Sequence, residues 1–343
     1  MPKISVIIPV YNQRDNLKTC LDAVLSSLYR DYEVIVVDDC SNDGSLEVVS
    51  EYGCRIVKCG MQSGPAAARN KGAAVSNGEI LLFVDADVIV EKSTISKLVE
   101  YFDNHPDAAA VIGTYSDSSP YKDFFSQYKN LIQHYVDRHI EECTHAFWTG
   151  CGAVKKQIYY SMGGFDERFT MSSVEDIDLG YRMTDAGHKI YLDKDVKVTH
   201  FKKYDLWGIL VSDFWKRAVP WTSLMIKYRK FEDRKDTKTA DIPSVLSLML
   251  FLIIAVLYLE GIAAYAPAIF LLLFLVGFFL AHNLNLLKYM FNKNGIYFVL
   301  VFIPMYMIAC VAAGFGFLAG ILMYAAKTSF GKDENSSYKS IFR

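Results

Sequence analysis

Three uncharged apolar stretches, at 244–259, 267–287 and 296–326, dominate the last third of this 343-residue chain. A bilayer core takes about 20 apolar residues per helix, and soluble core helices are a poor explanation for three such stretches in a row. The chain is therefore expected to be membrane-anchored. The first stretch is slightly short and the third slightly long, which tilt or a kink at Pro304 absorbs. A basic linker over 227–238, together with Lys288 and Lys293, favours the cytoplasmic side, with Glu260 in an outer loop. A third full span would carry Lys327, Lys332, Lys339 and Arg343 outside, against the positive-inside tendency. Residues 296–326 thus read as a third span or a re-entrant hairpin, and three spans are expected. Small residues in the last stretch (Ala312, Ala313, Gly314, Gly316, Gly320) would permit close helix packing, including in a homo-oligomer.

The composition of 52% hydrophobic residues owes its excess to this region, and the front part is different. Residues 1–241 hold 30 basic and 35 acidic side chains, a mildly acidic, soluble-looking balance. No large basic surface follows, so nucleic acid is not an expected partner. The seven cysteines are odd in number and scattered without a C-x-x-C pair, which suits a reducing compartment rather than a disulfide or zinc framework. Met1-Pro2-Lys3-Ile4 enters a strand directly, without the long apolar region of a signal peptide. The front domain is accordingly expected on the cytoplasmic face of the cell's inner membrane.

Along the first hundred residues, strands alternate with helices. Ser5–Ile8, Glu33–Val37, Arg55–Val57 and Ile80–Val84 read as buried strands. Leu17, Cys20, Leu21, Val24 and Leu28 recur at helical spacing, and Pro65–Val75 reads as helix. This alternation predicts right-handed βαβ units and a parallel sheet in an α/β fold. Residues 205–228 mix aromatics and aliphatics with Lys216, Arg217 and Lys227, the pattern of an amphipathic helix at a membrane surface or of one packed on the front domain. The expected organisation is a domain over 1–204, a juxtamembrane helix and linker over 205–241, membrane helices over 242–327 and a polar tail over 328–343.

Four acidic or small-residue clusters carry candidate chemistry. In Phe83-Val84-Asp85-Ala86-Asp87, a strand would project both carboxylates to one side of its C-terminal end, where open α/β sheets bind ligands. Two such carboxylates repel unless a cation lies between them, and oxygen ligands suit Mg²⁺ or Mn²⁺. A turn with two solvated aspartates is the plainer alternative. Asp38 and Asp39 end the second strand, where they can accept hydrogen bonds from a ribose or base edge, whereas Ser41, Asn42 or Asp43 can cap the next helix. Gly64-Pro65-Ala66-Ala67-Ala68-Arg69 opens a helix whose N-terminus favours phosphate, with Arg69 available to a diphosphate; close helix–sheet packing explains the small residues equally well. Finally, Glu175-Asp176-Ile177-Asp178 begins a helix that ends at Gly187. The helix dipole accounts for acids in a first turn, but three in four positions exceed that need, and one can serve as general base.

Pro9-Val10-Tyr11-Asn12, Val37-Asp38-Asp39 through Gly44-Ser45, Gly64-Pro65-Ala66 through Gly72, Asp85-Ala86-Asp87, Gly163-Gly164-Phe165-Asp166 and Glu175-Asp176 occur in that order. Over roughly residues 3–200 the chain thereby resembles the inverting family 2 glycosyltransferases of GT-A (nucleotide-diphospho-sugar transferase, Rossmann-like) fold. The resemblance implies a nucleotide-sugar donor, Mg²⁺ or Mn²⁺, and inversion at the anomeric carbon. Pro9, Tyr11, Asp38, Asp39, Gly64, Arg69, Asp85, Ala86 and Asp87 would line the donor site. Asp87 would be the direct metal ligand, with Asp85 and His200 as further metal contacts. Asp176 would be the base, supported by Glu175, and Trp148 with Gly150 would form the loop beneath donor sugar and acceptor. The processive members' Gln-x-x-Arg-Trp motif is replaced here by Phe214-Trp215-Lys216-Arg217-Ala218-Val219-Pro220-Trp221, which argues against processive synthesis. Polyprenyl-phosphate glycosyltransferases attack with a phosphate that needs no base, so Glu175-Asp176 points to a hydroxyl on a lipid-linked or membrane-proximal glycan acceptor. A polyprenyl-phosphate acceptor is the alternative, followed by a nucleotidyltransferase and by a non-catalytic scaffold of the same fold.

Overall fold

The computed structural model describes residues 3–230, 242–262 and 265–329. The expected basic linker over 227–238 lies outside the described residues from 231 on, and the expected polar tail over 328–343 from 330 on. The described chain divides into two compact units, one of residues 3–122 with 137–203, the other of 123–136 with 204–329.

In the first unit the order is β1 (Ile4–Val10), α1 (Arg14–Leu25), β2 (Tyr32–Asp38), α2 (Ser45–Glu51), β3 (Arg55–Lys58), α3 (Pro65–Ala74), β4 (Ile80–Val84), β5 (Val88–Val90), α4 (Thr94–Asn104) and β6 (Ala108–Tyr115). Helix α5 (Phe124–His139), most of which belongs to the second unit, follows, then β7 (Cys143–Thr144), β8 (Cys151–Lys155), α6 (Lys156–Ser161), α7 (Glu175–Asp185) and β9 (Lys189–His200). The strands form one sheet in the order β3-β2-β1-β4-β8-β6-β9-β5, with β7 on β9. The four strands legible in the sequence are its parallel half. The whole sheet is mixed, because β8 runs antiparallel to both β4 and β6 and β5 antiparallel to β9.

Strands β1 and β4 are buried along nearly their whole length, as a sheet covered on both faces requires. Phe83, fully buried at the end of β4, packs against Phe147, Tyr159 and Phe165 with ring centroids 5.1–6.3 Å apart. Such burial contributes about 1.5–3 kcal/mol per side chain. Helix α1 ends at Leu25, so Leu28 falls beyond it and is 67% exposed rather than continuing the apolar stripe.

The second unit is helical. Helix α8 (Leu206–Val211), a π-helical turn (Ser212–Ala218) and α9 (Val219–Tyr228) run on from one another. Then come α10 (Ile242–Leu259), α11 (Tyr265–His282) and α12 (Leu284–Ser329), all long and apolar enough to cross a membrane. Helix α12 is interrupted at Gly295 (φ 76°) and runs on past Pro304 without reversing, so 296–326 is not a hairpin. Residues 123–136, expected within the front domain, cluster instead with these helices. Tyr128, Leu131 and Ile132 share a core with Phe302, Tyr306 and Cys310, and Phe124 stacks near Phe298 at 5.1 Å.

Three small residues of α12, Gly314, Gly316 and Gly320, meet neighbours within the chain. A Cβ on Gly316 would lie 2.6 Å from the Ala218 side chain, and one on Gly320 would lie 2.6 Å from Thr222. The 206–228 helix therefore packs on α12, while Trp207 (74% exposed) and Trp215 (44%) remain outside. Where the π turn widens the helix, Asp213 forms a buried ion pair with Lys129 at 2.5 Å.

Candidate active site

The C-terminal ends of β1, β2 and β4 gather the residues expected to line a donor site, as the parallel half of the sheet dictates. Asp38 and Asp39 are both 4% exposed. Asp38 accepts from the Ser41 backbone N–H at 3.0 Å, and the two oxygens of Asp39 accept from the backbone N–H groups of Ser63 (2.9 Å) and Gly64 (2.8 Å). Expected to face a nucleoside, Asp39 thus holds the loop that leads into α3. Asp43 takes the backbone N–H of Arg14 and both donors of Ser45, joining the two loops instead of capping α2, whose N-cap is Gly44. Tyr11, 43% exposed, stands clear of the β1 end, and Pro9 lies within that strand. Gly64 has φ 90°, and a Cβ there would collide with the Thr170 carbonyl at 2.3 Å, so only glycine admits the 163–174 segment.

Asp85 and Asp87 lie in a turn and meet different partners. Strand β4 stops at Val84, and residues 85–87 form a turn closed by Val88 N–H donating to the Asp85 carbonyl at 3.0 Å. The alternation expected of a strand is therefore lost, Ala86 is buried, and the two carboxylates meet different partners. Asp85 pairs with Arg69 at 2.8 Å, whereas Asp87 pairs with His200 Nε2 at 3.3 Å. Burial acts to raise the Asp87 proton affinity, but the charge and hydrogen bond of His200, with Lys202 beyond, hold it below the ordinary carboxylate range. Tyr115, at the end of β6, stacks on His200 (4.9 Å, 16°) and meets Trp148 edge-on (4.5 Å).

Arg69, expected to serve a diphosphate, is 3% exposed and forms two ion pairs. Its Nη1 donates to Glu175 at 2.9 Å and its Nη2 to Asp85, while its guanidinium lies 5.5 Å over the Phe165 ring. The Gly163-Gly164 pair turns with φ 78° and 71° to seat that ring. Asn70 fixes the segment through the backbone N–H and carbonyl of Phe165, both at 2.9 Å.

The three acids that open α7 part company. Glu175 is 2% exposed and bound to Arg69, and Asp178 pairs with Arg182 at 2.8 Å. Asp176 has no ion-pair partner among the described residues. It accepts long bonds from Thr149, 3.3 Å from N–H and 3.4 Å from Oγ1, and one from the Ile177 N–H at 2.9 Å. Burial, then the neighbouring Glu175 carboxylate, push its pKa up to about 7, against the opposing pull of Arg69 and the Thr149 hydrogen bond. A carboxylate of that affinity is suited to taking a proton near neutral pH. Gly180 lets the 145–147 segment lie against α7, since a Cβ there would be 2.4 Å from Phe147 N. That contact brings Trp148, Thr149 and Gly150 to the site, with Gly150 beneath the Trp148 ring.

Asp87 and His200 offer an oxygen and an imidazole nitrogen, a donor set that Mn²⁺ accepts. Among the described residues no three His, Cys, Asp or Glu side chains converge as a cation cage. The pair fits a cation that completes its shell from phosphate oxygens and water, the usual arrangement for Mg²⁺. Thr149 and Tyr115 escaped the sequence reading. The only signal for Thr149 was its place between Trp148 and Gly150, and Tyr115 carried none.

Residues 5–162 match the model described as Glycosyl transferase family 2. Residues 5–162 are thus a family 2 glycosyltransferase domain. Glycosyltransferase AglE of Haloferax volcanii is 28% identical over 214 residues, 58% of this chain and 67% of that protein. A poly(ribitol-phosphate) beta-glucosyltransferase of Bacillus spizizenii is 40% identical over 93 residues, 25% of this chain and 15% of that protein. The glycosyltransferase chain spans 15–42% of the length of this and three further curated relatives. A solved mannosyltransferase, PcManGT from Pyrobaculum calidifontis in complex with GDP-Man and Mn²⁺, shares the fold with TM-score 0.63. That superposition covers 92% of this chain and 87% of the other at 19% identity.

Proposed function

We propose that this glycosyltransferase is anchored in the cytoplasmic membrane by its three apolar helices. It would transfer one sugar from a nucleotide-sugar, in the first instance a UDP-sugar, to a hydroxyl of a lipid-linked or membrane-proximal acceptor. The observation that carries the hydroxyl reading is Asp176: a carboxylate at a helix start, without a cationic partner among the described residues, with its pKa near about 7. A phosphate acceptor would have no use for such a base. The name of the Bacillus spizizenii relative, a glucosyltransferase of poly(ribitol-phosphate), describes transfer onto a polymer that bears hydroxyls.

In this mechanism Asp176 accepts the proton of the acceptor hydroxyl while that oxygen attacks the anomeric carbon from the face opposite the leaving group. One carboxylate suffices, the configuration inverts, and no glycosyl-enzyme forms. Thr149 orients Asp176 from the neighbouring loop. Asp87 and His200 would hold a divalent cation, which when bound supplies charge neutralisation for the departing diphosphate.

The test uses detergent-solubilised full chain with Mn²⁺ and a panel of UDP-glucose, UDP-N-acetylglucosamine and GDP-mannose, measuring nucleoside diphosphate release with membrane-lipid extract as acceptor. Asp176→Asn is expected to lower kcat on the order of 10³-fold. Unimpaired turnover would overturn the base assignment and favour a phosphate acceptor. Pyrophosphate release instead would identify a nucleotidyltransferase.

A further inference from the structure

Arg69 joins three segments that are remote in sequence: α3, the turn after β4, and the first residue of α7. Its two terminal nitrogens are each committed to a different carboxylate, and those carboxylates belong to the two acidic pairs of the site. Neither Asp85 nor Glu175 has a second cation within ion-pair distance among the described residues. The remaining Glu175 oxygen accepts the Ser173 N–H at 2.8 Å, so this side chain is fully engaged at the helix start. Arg69 Nε, buried, has no hydrogen-bond partner, which leaves the two carboxylates and the Phe165 ring as the contacts that orient the guanidinium. A planar fork can bridge two carboxylates in fixed directions, and an ammonium cannot.

We propose that Arg69 is a positioning residue of the glycosyl-transfer site: it fixes the Asp85 turn to the start of α7, so that the cation-side carboxylate Asp87 and the base Asp176 keep one relative placement. This rests on the functional reading above, and it concerns a residue whose guanidinium is committed to Asp85 and Glu175. Holding Asp85 on Arg69 leaves Asp87 to His200, and holding Glu175 on Arg69 leaves Asp176 to the acceptor. The groups facing Asp176 are Glu175 on its own helix, Arg69 from α3, Asp85 from the turn, and Thr149 from the adjoining loop. Arg69 is the one cation among them, so its removal shifts Asp176 toward the protonated form.

The experiment compares Arg69→Lys, Arg69→Met and the charge-balanced double variant Arg69→Met/Glu175→Gln with wild type, as full-length protein in detergent. It records melting temperature, donor KM, kcat and the pH profile with the UDP- or GDP-sugar that the wild type turns over. The expected result is a loss of kcat of at least about tenfold in Arg69→Lys although it keeps the charge, and a larger loss in Arg69→Met. Donor KM should change less than threefold. The acid limb should move to higher pH by about one unit in Arg69→Met and less in Arg69→Lys. Wild-type kcat in folded Arg69→Met, or an unmoved acid limb with turnover that simply follows the folded fraction, would overturn the proposal. If the single variants do not fold, the double variant decides: wild-type kcat in it refutes a positioning role. Asp176→Asn, assayed in parallel, separates the two failures. Full activity in that variant defeats the base reading, whereas its inactivity beside unaltered Arg69 variants defeats this one alone.

Discussion

The two acidic pairs of the site, Asp85/Asp87 and Glu175/Asp176, look alike in the sequence and are partitioned alike in the fold. One member of each is given to Arg69, and the other is left facing the place where chemistry would occur. They differ in what meets the second member. Asp87 meets His200, whose charge and hydrogen bond outweigh burial and keep the carboxylate ionised. Asp176 accepts hydrogen bonds from Thr149 and its own helix start, and burial with Glu175 pushes it up to about 7. Environments that drive similar carboxylates apart are how one site separates acid–base work from charge stabilisation. The pair that stays charged suits a cation, and the carboxylate that holds its proton longer suits a base.

The largest effect that would break this division is at Asp87. Asp87→Asn keeps the shape and removes the charge, so turnover should fall roughly 10²–10³-fold, with a higher Mn²⁺ concentration needed for half-maximal rate. Measuring turnover against Mn²⁺ for wild type and variant checks it. An unchanged Mn²⁺ requirement would assign the cation to other groups and undo the contrast with Asp176. Chelation of the wild type should abolish turnover, and Mn²⁺ should restore it.

A smaller effect sharpens the other side. If Asp176 is the base proposed above, it must be unprotonated to act, and kcat/KM should fall about tenfold per pH unit below about 7 and level off above it. Asp87, held low, should add no limb in that range. A flat profile from pH 5 to 8 would mean that no group of raised pKa takes part.

How much of this was legible beforehand follows from range. Strands β1 to β4 and the start of α7 announce themselves through local periodicity and a dense acidic turn, and the three apolar stretches through length alone. The division of labour inside each acidic pair was not legible. It depends on where β4 stops, one residue before Asp85, and on an Arg69–Glu175 contact 106 residues apart. Period-2 reasoning carries the strand on through Asp85 and Asp87 because nothing local marks Val84 as its last residue. Arg69 reads as a phosphate ligand because a helix N-terminus suggests one, whereas its burial between two carboxylates is a tertiary property. The antiparallel β8 escaped for a similar reason: Cys151–Lys155 is five residues long, and its neighbours β4 and β6 come from elsewhere in the chain.

The smallest predicted effect tests the comparison without any substrate. The folded protein holds the Asp176 proton up to about 7, whereas an unfolded aspartate releases it near 3.8. This group therefore favours folding below about pH 4 and loses that contribution as pH rises through about 7. Asp176→Asn, neutral throughout, should match wild type in stability at pH 4 and exceed it at pH 8 by on the order of 1–3 kcal/mol, read from denaturant or thermal melts. Asp87→Asn should do the reverse. The Asp87 carboxylate is held low, so its contribution is present above the unfolded value and disappears only as pH falls through the folded one. The Asp87 variant should therefore be less stable than wild type at pH 8. Shifts of the same sign in both variants would mean that burial alone governs the two carboxylates, and that His200 and Arg69 do not divide them.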